Sequence, residues 1–187
     1  MYTSHAVVTM ACAIGIALAS AVPSESAVRP QQGGDPTIVV GDAFPDVVLT
    51  GSDGQPVHLA KEVGRVRVVS IVPQLNTPVC DEQTHRLSEA RDRIDARIEL
   101  VTISTNTAVD QAQFARKARI ENVRFLSDVP ARAFGKATGL LLPQYDVLQR
   151  AVLVIDAHRI VRYLQVAPIG EAPNFARALE TAQRLLH

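Results

Sequence analysis

The stretch that constrains this chain most is residues 69–84, VSIVPQLNTPVCDEQT, together with the apolar residues just ahead of it. Val66, Val68, Val69, Ile71 and Val72 form a β-branched run suited to a buried strand, and the run stops against Pro73. A short polar link leads to Thr77, Pro78, Val79 and Cys80, and a polar, helix-compatible segment begins behind the cysteine. The pattern predicts strand, turn and helix, with a thiol carried at or near the helix N-terminus. A helix start leaves backbone N–H groups without partners and holds the positive end of the helix dipole, and both favour thiolate over thiol. Thr77, three residues ahead of the cysteine, can aim a hydroxyl at the sulfur or at a substrate oxygen.

A lone cysteine more often packs as a small hydrophobe than reacts. Here the neighbours Asn76, Thr77, Pro78, Asp81, Glu82 and Gln83 are polar or turn-forming, so an exposed first helical turn is expected rather than a core position. That points to a functional thiol without naming a reaction.

The 187 residues suffice for one domain with a substantial core plus an extra segment. Lys+Arg and Asp+Glu each total 19, with no basic run, so neither nucleic acid nor an anionic membrane surface is favoured as a partner. Residues 1–22 read as a secretory signal peptide. Their apolar run starts at Ala6, and small residues stand at Ala17-Leu18-Ala19 and Ala19-Ser20-Ala21, where a signal peptidase would cut. An uncleaved anchor is the alternative, because residues 1–28 contain no Lys or Arg. Cys12 lies inside the run and would leave with the signal. The expected location is periplasmic or secreted, with no stable membrane contact after cleavage. Residues 23–36, rich in Pro, Gly, Gln and Ser, read as a linker, and residues 37–187 as the folded domain.

Within that domain, residues 46–50 and 56–60 flank the turn Gly51-Ser52-Asp53-Gly54 as a hairpin. Strands are expected at 65–72, 97–104, 123–126, 150–156 and 160–166, the last two joined across Ala157-His158-Arg159. A helix-compatible segment begins behind Cys80, and a helix is expected over residues 88–98, where Leu87, Ala90, Ile94 and Ile98 recur at near-helical spacing. Others are expected at 109–118, at 130–136 with Pro130 at its start, and at 172–186. His58, His85, His158 and His187 lack metal-ligand spacing, and no Gly-rich fingerprint surrounds Gly135 and Gly139. Asp128 reads as an N-cap or turn residue.

Pro73-x-x-x-Thr77-x-x-Cys80 matches the peroxidatic motif of peroxiredoxins, and PQLNTPVCDEQT resembles the thiol peroxidase class, the atypical two-cysteine branch of that family. The resemblance continues through FLSDVPARAFGKATGL (residues 125–140), LQRAVLVID (residues 148–156) and the closing helical segment, and covers about residues 38–187 in the family's order. It implies an α/β, thioredoxin-like fold, with a central mixed β-sheet flanked by helices and an N-terminal β-hairpin. Thr77-x-x-Cys80 takes the place where thioredoxins carry Cys-x-x-Cys, so a hydroxyl replaces the first thiol. The resemblance also implies that Arg150, in Leu148-Gln149-Arg150-Ala151-Val152, faces the sulfur and stabilises its thiolate. Thr77 would hydrogen-bond the peroxide, and Pro73 would shield the pocket and shape the turn.

The implied activity is thiol-dependent reduction of hydrogen peroxide and organic hydroperoxides through a Cys80 sulfenic acid, with no metal or organic cofactor required. One departure changes the cycle. Thiol peroxidases carry a resolving cysteine in a pattern like F-A-x-x-R-F-C, with I-x-N-V following. Here Phe114-Ala115-Arg116-Lys117-Ala118-Arg119-Ile120-Glu121-Asn122-Val123 has no cysteine and is several residues shorter. The expectation is a one-cysteine cycle served by an external thiol or thioredoxin-like reductant, in a protein that by analogy with the family forms a homodimer. A peroxide-sensing redox adaptor and a peroxiredoxin-fold protein without activity stand as alternatives.

Overall fold

The computed structural model describes residues 35–168 and 170–187. The expected signal peptide, Cys12 and all but the last two residues of the linker lie outside them. In chain order the strands are β1 (Leu49–Gly51), β2 (Pro56–Val57), β3 (Arg67–Val72), β4 (Glu99–Ser104), β5 (Arg124–Ser127), β6 (Leu141–Leu142), β7 (Val147–Leu148), β8 (Ala151–Ile155) and β9 (Val161–Val166). The helices are α1 (Pro78–Glu89), α2 (Ala108–Ala118), α3 (Ala133–Thr138) and α4 (Phe175–Arg184). Seven strands form one mixed sheet in the order β2-β1-β5-β4-β3-β8-β9, and β6 with β7 makes a separate small hairpin.

The β-branched run becomes β3, with every residue buried. It pairs in parallel with β4 and antiparallel with β8, which places it inside the sheet with both faces covered. Alternate residues feed two cores. On one face Val68, Val72, Leu100, Phe125, Val152 and Val154 meet Leu87 of α1 and Phe175, Ala178 and Ala182 of α4. On the other, Val69, Ile71, Val101, Ile103, Leu126 and Leu153 meet Phe134 of α3, Leu148 of the small hairpin and Phe44. Phe134 is fully buried and stacks on Phe44 at 5.7 Å. Truncating a buried phenylalanine to alanine costs about 3–5 kcal/mol, so this one ring is a large share of the marginal stability of a domain. The mixed sheet with helices on both faces is the architecture expected from the element order.

Several expected boundaries are corrected. The second arm of the first hairpin ends at Val57, and Leu59–Lys61 forms a 3₁₀ turn because Leu59 and Ala60 are drawn into the core. The helix behind Cys80 stops at Glu89, passes through a 3₁₀ turn at Ala90–Arg93 and is extended at Ile94. The Arg91 guanidinium donates to the carbonyls of Asp95 and Ile98, and this ties the chain into β4, which Ile98 immediately precedes. Helix α3 starts at Ala133 rather than at Pro130, since Arg132, just ahead of it, is left-handed at φ 53° and cannot continue a helix from Pro130. The β6–β7 hairpin was not expected from the sequence pattern. Among the described residues no helix is long and apolar enough to cross a membrane.

Candidate active site

The turn after β3 is held from outside itself. The Thr105 hydroxyl donates to the Pro73 carbonyl at 2.6 Å, and the Leu75 N–H donates to Asn106 Oδ1 at 2.8 Å. Leu75 is fully buried, so the loop is pinned by packing as well as by hydrogen bonds. Thr77 then takes the N-cap position with extended backbone (φ −112°, ψ 145°), and Pro78 opens α1, where a missing N–H costs nothing. The first helical bond runs from the Asp81 N–H to the Thr77 carbonyl. By helix geometry the N–H groups of Val79 and Cys80 therefore have no acceptor within the helix.

Cys80 stands at the third helical position and is 1% exposed, contrary to the exposed turn its sequence neighbours suggest. The reason is angular. With 3.6 residues per turn, Cys80, Gln83, Thr84 and Leu87 share the face turned to the sheet, and all four are buried. Thr77, Pro78 and Glu82 take the outside.

Burial alone would suit a packing cysteine; its partner does not. Arg150, half-buried just ahead of β8, directs its Nη2 to Cys80 Sγ at 3.1 Å and its Nη1 to Gln83 Oε1 at 2.7 Å. Gln83 is held in turn, donating from Nε2 to Ser70 Oγ at 2.8 Å and to the Ile71 carbonyl at 3.3 Å. Its amide orientation is thereby set, with the oxygen toward the guanidinium. Among the described residues no carboxylate lies within ion-pair distance of Arg150. Among the described residues its hydrogen-bond partners are a sulfur and a neutral amide. The Thr84 hydroxyl, also on this face, donates to the Cys80 carbonyl at 2.8 Å.

Of the four residues singled out from the sequence, the fold brings Cys80 and Arg150 into contact across 70 positions. Pro73 is half-buried at the end of β3, its carbonyl tied as described. Thr77 is exposed, and its hydroxyl makes one long bond to the Gln74 carbonyl at 3.4 Å with no bond to a helix N–H. Neither capping nor a bond to Sγ occupies that hydroxyl. Gln83, Ser70, Thr105 and Asn106 were missed. The signal for Gln83 was available in its spacing, since a polar residue three positions after Cys80 and four before Leu87 shares their buried face. Among the described residues no group of three or more His, Cys, Asp or Glu side chains is placed to hold a metal ion.

The Redoxin family model matches residues 39–179. A thiol peroxidase of Clostridium acetobutylicum is 38% identical over 147 residues, spanning 78% of this chain and 88% of the relative. One from Halalkalibacterium halodurans is 34% identical over 150 residues, spanning 80% and 90%. Among solved structures, a peroxiredoxin-like protein from Aquifex aeolicus superposes with a TM-score of 0.69 at 29% identity, covering 80% of this chain and 89% of that one.

Proposed function

The chain belongs to the redoxin family, as a thiol peroxidase of the peroxiredoxin class, and from that premise we propose a one-cysteine catalytic cycle carried by Cys80. The Cys80 thiolate attacks one peroxide oxygen, the O–O bond breaks, and the departing oxygen takes up a proton to leave as water or alcohol. The sulfur is oxidised by two electrons to sulfenic acid, and the peroxide is reduced. An external thiol then displaces water from the sulfenic acid to form a mixed disulfide. A second thiol releases its own disulfide and restores Cys80.

The observation that carries this reading is the Arg150 guanidinium 3.1 Å from a buried Sγ. It supplies positive charge beside the nucleophile and beside the oxygens on which charge develops. The Thr77 hydroxyl and the free N–H groups at the start of α1 add donors on the same side of the turn. Cys12 and Cys80 are the chain's two cysteines. With Cys12 removed in the signal peptide, no second thiol is left to close a disulfide, and the cycle is placed in a periplasmic or secreted setting.

The test is intact mass after one equivalent of peroxide on the mature protein. The expected product is a monomer carrying one extra oxygen, trappable by a sulfenate reagent. A prompt, quantitative disulfide-linked dimer would overturn the one-cysteine cycle. Arg150→Met should slow the oxidation by about a hundredfold or more, the scale of losing one positioned donor at developing charge.

A further inference from the structure

Two residues on separate elements share an uncommon backbone state and hold each other. Arg132, the N-cap of α3, is left-handed at φ 53°, and Asp146, in the turn of the β6–β7 hairpin, is left-handed at φ 51°. Neither is glycine, so each carries strain that the structure around it must offset. The Arg132 guanidinium donates from Nε to Asp146 Oδ1 at 3.0 Å and from Nη2 to Oδ2 at 2.6 Å. This two-pronged geometry is the strong and directional form of the pair. Asp146 is exposed, but the Arg132 side chain is 15% exposed, and its Nη1 is buried with no hydrogen-bond partner. An unmet buried donor is a cost, and the fold tolerates it to keep this guanidinium in place.

A second contact joins the same two elements. Gly135 of α3 lies so close to the hairpin that a Cβ there would stand 2.6 Å from Leu148 Cδ2 and 3.1 Å from Leu141 Cβ. Leu141 and Leu148 are a cross-strand pair of β6 and β7. Helix α3 therefore grips the hairpin at its base through Gly135 and at its turn through Arg132. From Leu148 the chain reaches Arg150 in two residues. The Gln149 N–H donates to the Leu140 carbonyl at 2.7 Å, and the Arg150 carbonyl accepts the Ala167 N–H at 2.9 Å. The hairpin thus sets where the Arg150 backbone enters β8, and from there the guanidinium reaches Sγ and Gln83.

We infer that Arg132, Gly135 and Asp146 form a clip that positions Arg150, so that an ion pair at the hairpin turn governs the charge beside Cys80. This rests on the reading of Cys80 as the peroxide-reducing thiol. All three are positioning residues, and they act through the guanidinium. With the pair broken, the hairpin turn relaxes, Leu148 shifts and Arg150 leaves its 3.1 Å contact with the sulfur. Small misplacements of a positioned group cost a reaction much of its rate.

The test is Asp146→Gly, which removes the carboxylate and keeps a residue that adopts positive φ without steric cost. It should slow Cys80 oxidation by peroxide about fivefold to tenfold. Arg132→Gly, at an equally left-handed position, should do the same, and the two together should do no more. In an Arg150→Met background Asp146→Gly should change nothing further, because no guanidinium is left to position. A second readout needs no peroxide: the ratio of Cys80 alkylation rates by anionic iodoacetate and neutral iodoacetamide. Access to the buried sulfur is common to both reagents and cancels, so the ratio reads positive charge beside Sγ. Asp146→Gly should lower it about twofold to fivefold, toward the ratio of Arg150→Met, whereas losing the Asp146 charge alone would raise it. A lowered ratio in a protein that peroxide does not oxidise would refute the peroxidase cycle and leave the clip standing. The clip is overturned if Asp146→Gly keeps the wild-type ratio or raises it, or if it slows oxidation equally in the Arg150→Met background. Losses from Arg132→Gly and Asp146→Gly that simply add overturn it too.

Discussion

Cys80 is buried because of one angular fact, that it shares a helix face with Gln83, Thr84 and Leu87. Thr77 and Gln83 then divide the work around it. The Thr77 hydroxyl neither caps α1 nor bonds to the sulfur, so its removal tests a substrate role directly. Thr77→Val should slow peroxide reduction about a hundredfold or more with little change in stability, and Thr77→Ser should keep much of the rate. Stopped-flow oxidation of Cys80 reads it, and equal rates for the valine variant and the wild type would remove Thr77 from the chemistry. Gln83 acts through Arg150. Gln83→Leu leaves the guanidinium without its 2.7 Å acceptor and removes the Nε2 bonds to Ser70 Oγ and the Ile71 carbonyl. The oxidation rate should drop about tenfold or more from the misplaced charge. An unchanged oxidation rate in Gln83→Leu would mean that Gln83 serves packing alone. Cys80, Thr77 and Pro73 were legible because the motif is local. Pairing Arg150 with the sulfur came from the family pattern, since nothing local to the cysteine announces a partner 70 positions away. Thr105 and Asn106, which brace the turn from the β4–α2 link, stayed hidden because only the strand register sets them opposite Pro73 and Leu75.

Elements were legible where periodicity or β-branching was strong, and blurred where a single side chain ends a segment. Strands β3, β4, β8 and β9 and helix α2 fall close to their expected spans. Helix was expected beyond the end of α1 because Ile94 and Ile98 continue its apolar spacing, and the bonds that Arg91 makes to later carbonyls cannot be read from that spacing. Helix α3 is the instructive case. Asp128 was expected as a cap or turn residue, and it does hold this helix start, but from four positions before Arg132, the N-cap. Oδ1 accepts the Phe134 N–H at 2.8 Å and Oδ2 the Gly135 N–H at 2.9 Å. Burial pushes its carboxyl above the ordinary range, and those two N–H groups pull the other way. Asp128→Asn offers one acceptor oxygen for two donors. It should cost about 1–3 kcal/mol, the scale of leaving one buried backbone donor unmet, read as a lowered midpoint in urea unfolding. An unchanged midpoint would show that α3 starts without Asp128.

At the scale of the whole molecule, the site sits at the C-terminal ends of the parallel strands and a charge network holds their N-terminal ends. Arg67 is 1% exposed, with Nε on Glu99 Oε2 at 2.6 Å, Nη1 on the Glu62 carbonyl at 2.8 Å and Nη2 on Glu62 Oε2 at 3.1 Å. Arg124 of β5 closes the group, donating to both carboxylate oxygens of Glu62 at 2.7 and 2.9 Å. Single residues announce none of this; it requires the parallel register that sets Arg67 beside Glu99. A buried guanidinium needs such partners, because removing one leaves charge uncompensated in the interior. The Arg124 hydrogen bond above all, then the charges of Arg124, Arg67 and Arg65, hold Glu62 below its ordinary value of 4.5 against the opposing effect of burial. The sign follows from that depression. A carboxyl whose folded value lies below its unfolded value contributes stability that is complete above the unfolded value and is lost as pH falls through the folded one. Glu62→Gln should therefore be less stable than wild type at neutral pH, and the gap should close as pH drops below 4.5. Urea midpoints of the two proteins, measured from neutral to strongly acidic pH, decide it. A gap that stays constant across that range would assign Glu62 a purely steric part in the turn that leads into β3. Because the network and Cys80 occupy opposite ends of the sheet, the same variant should oxidise with peroxide at the wild-type rate wherever it is folded.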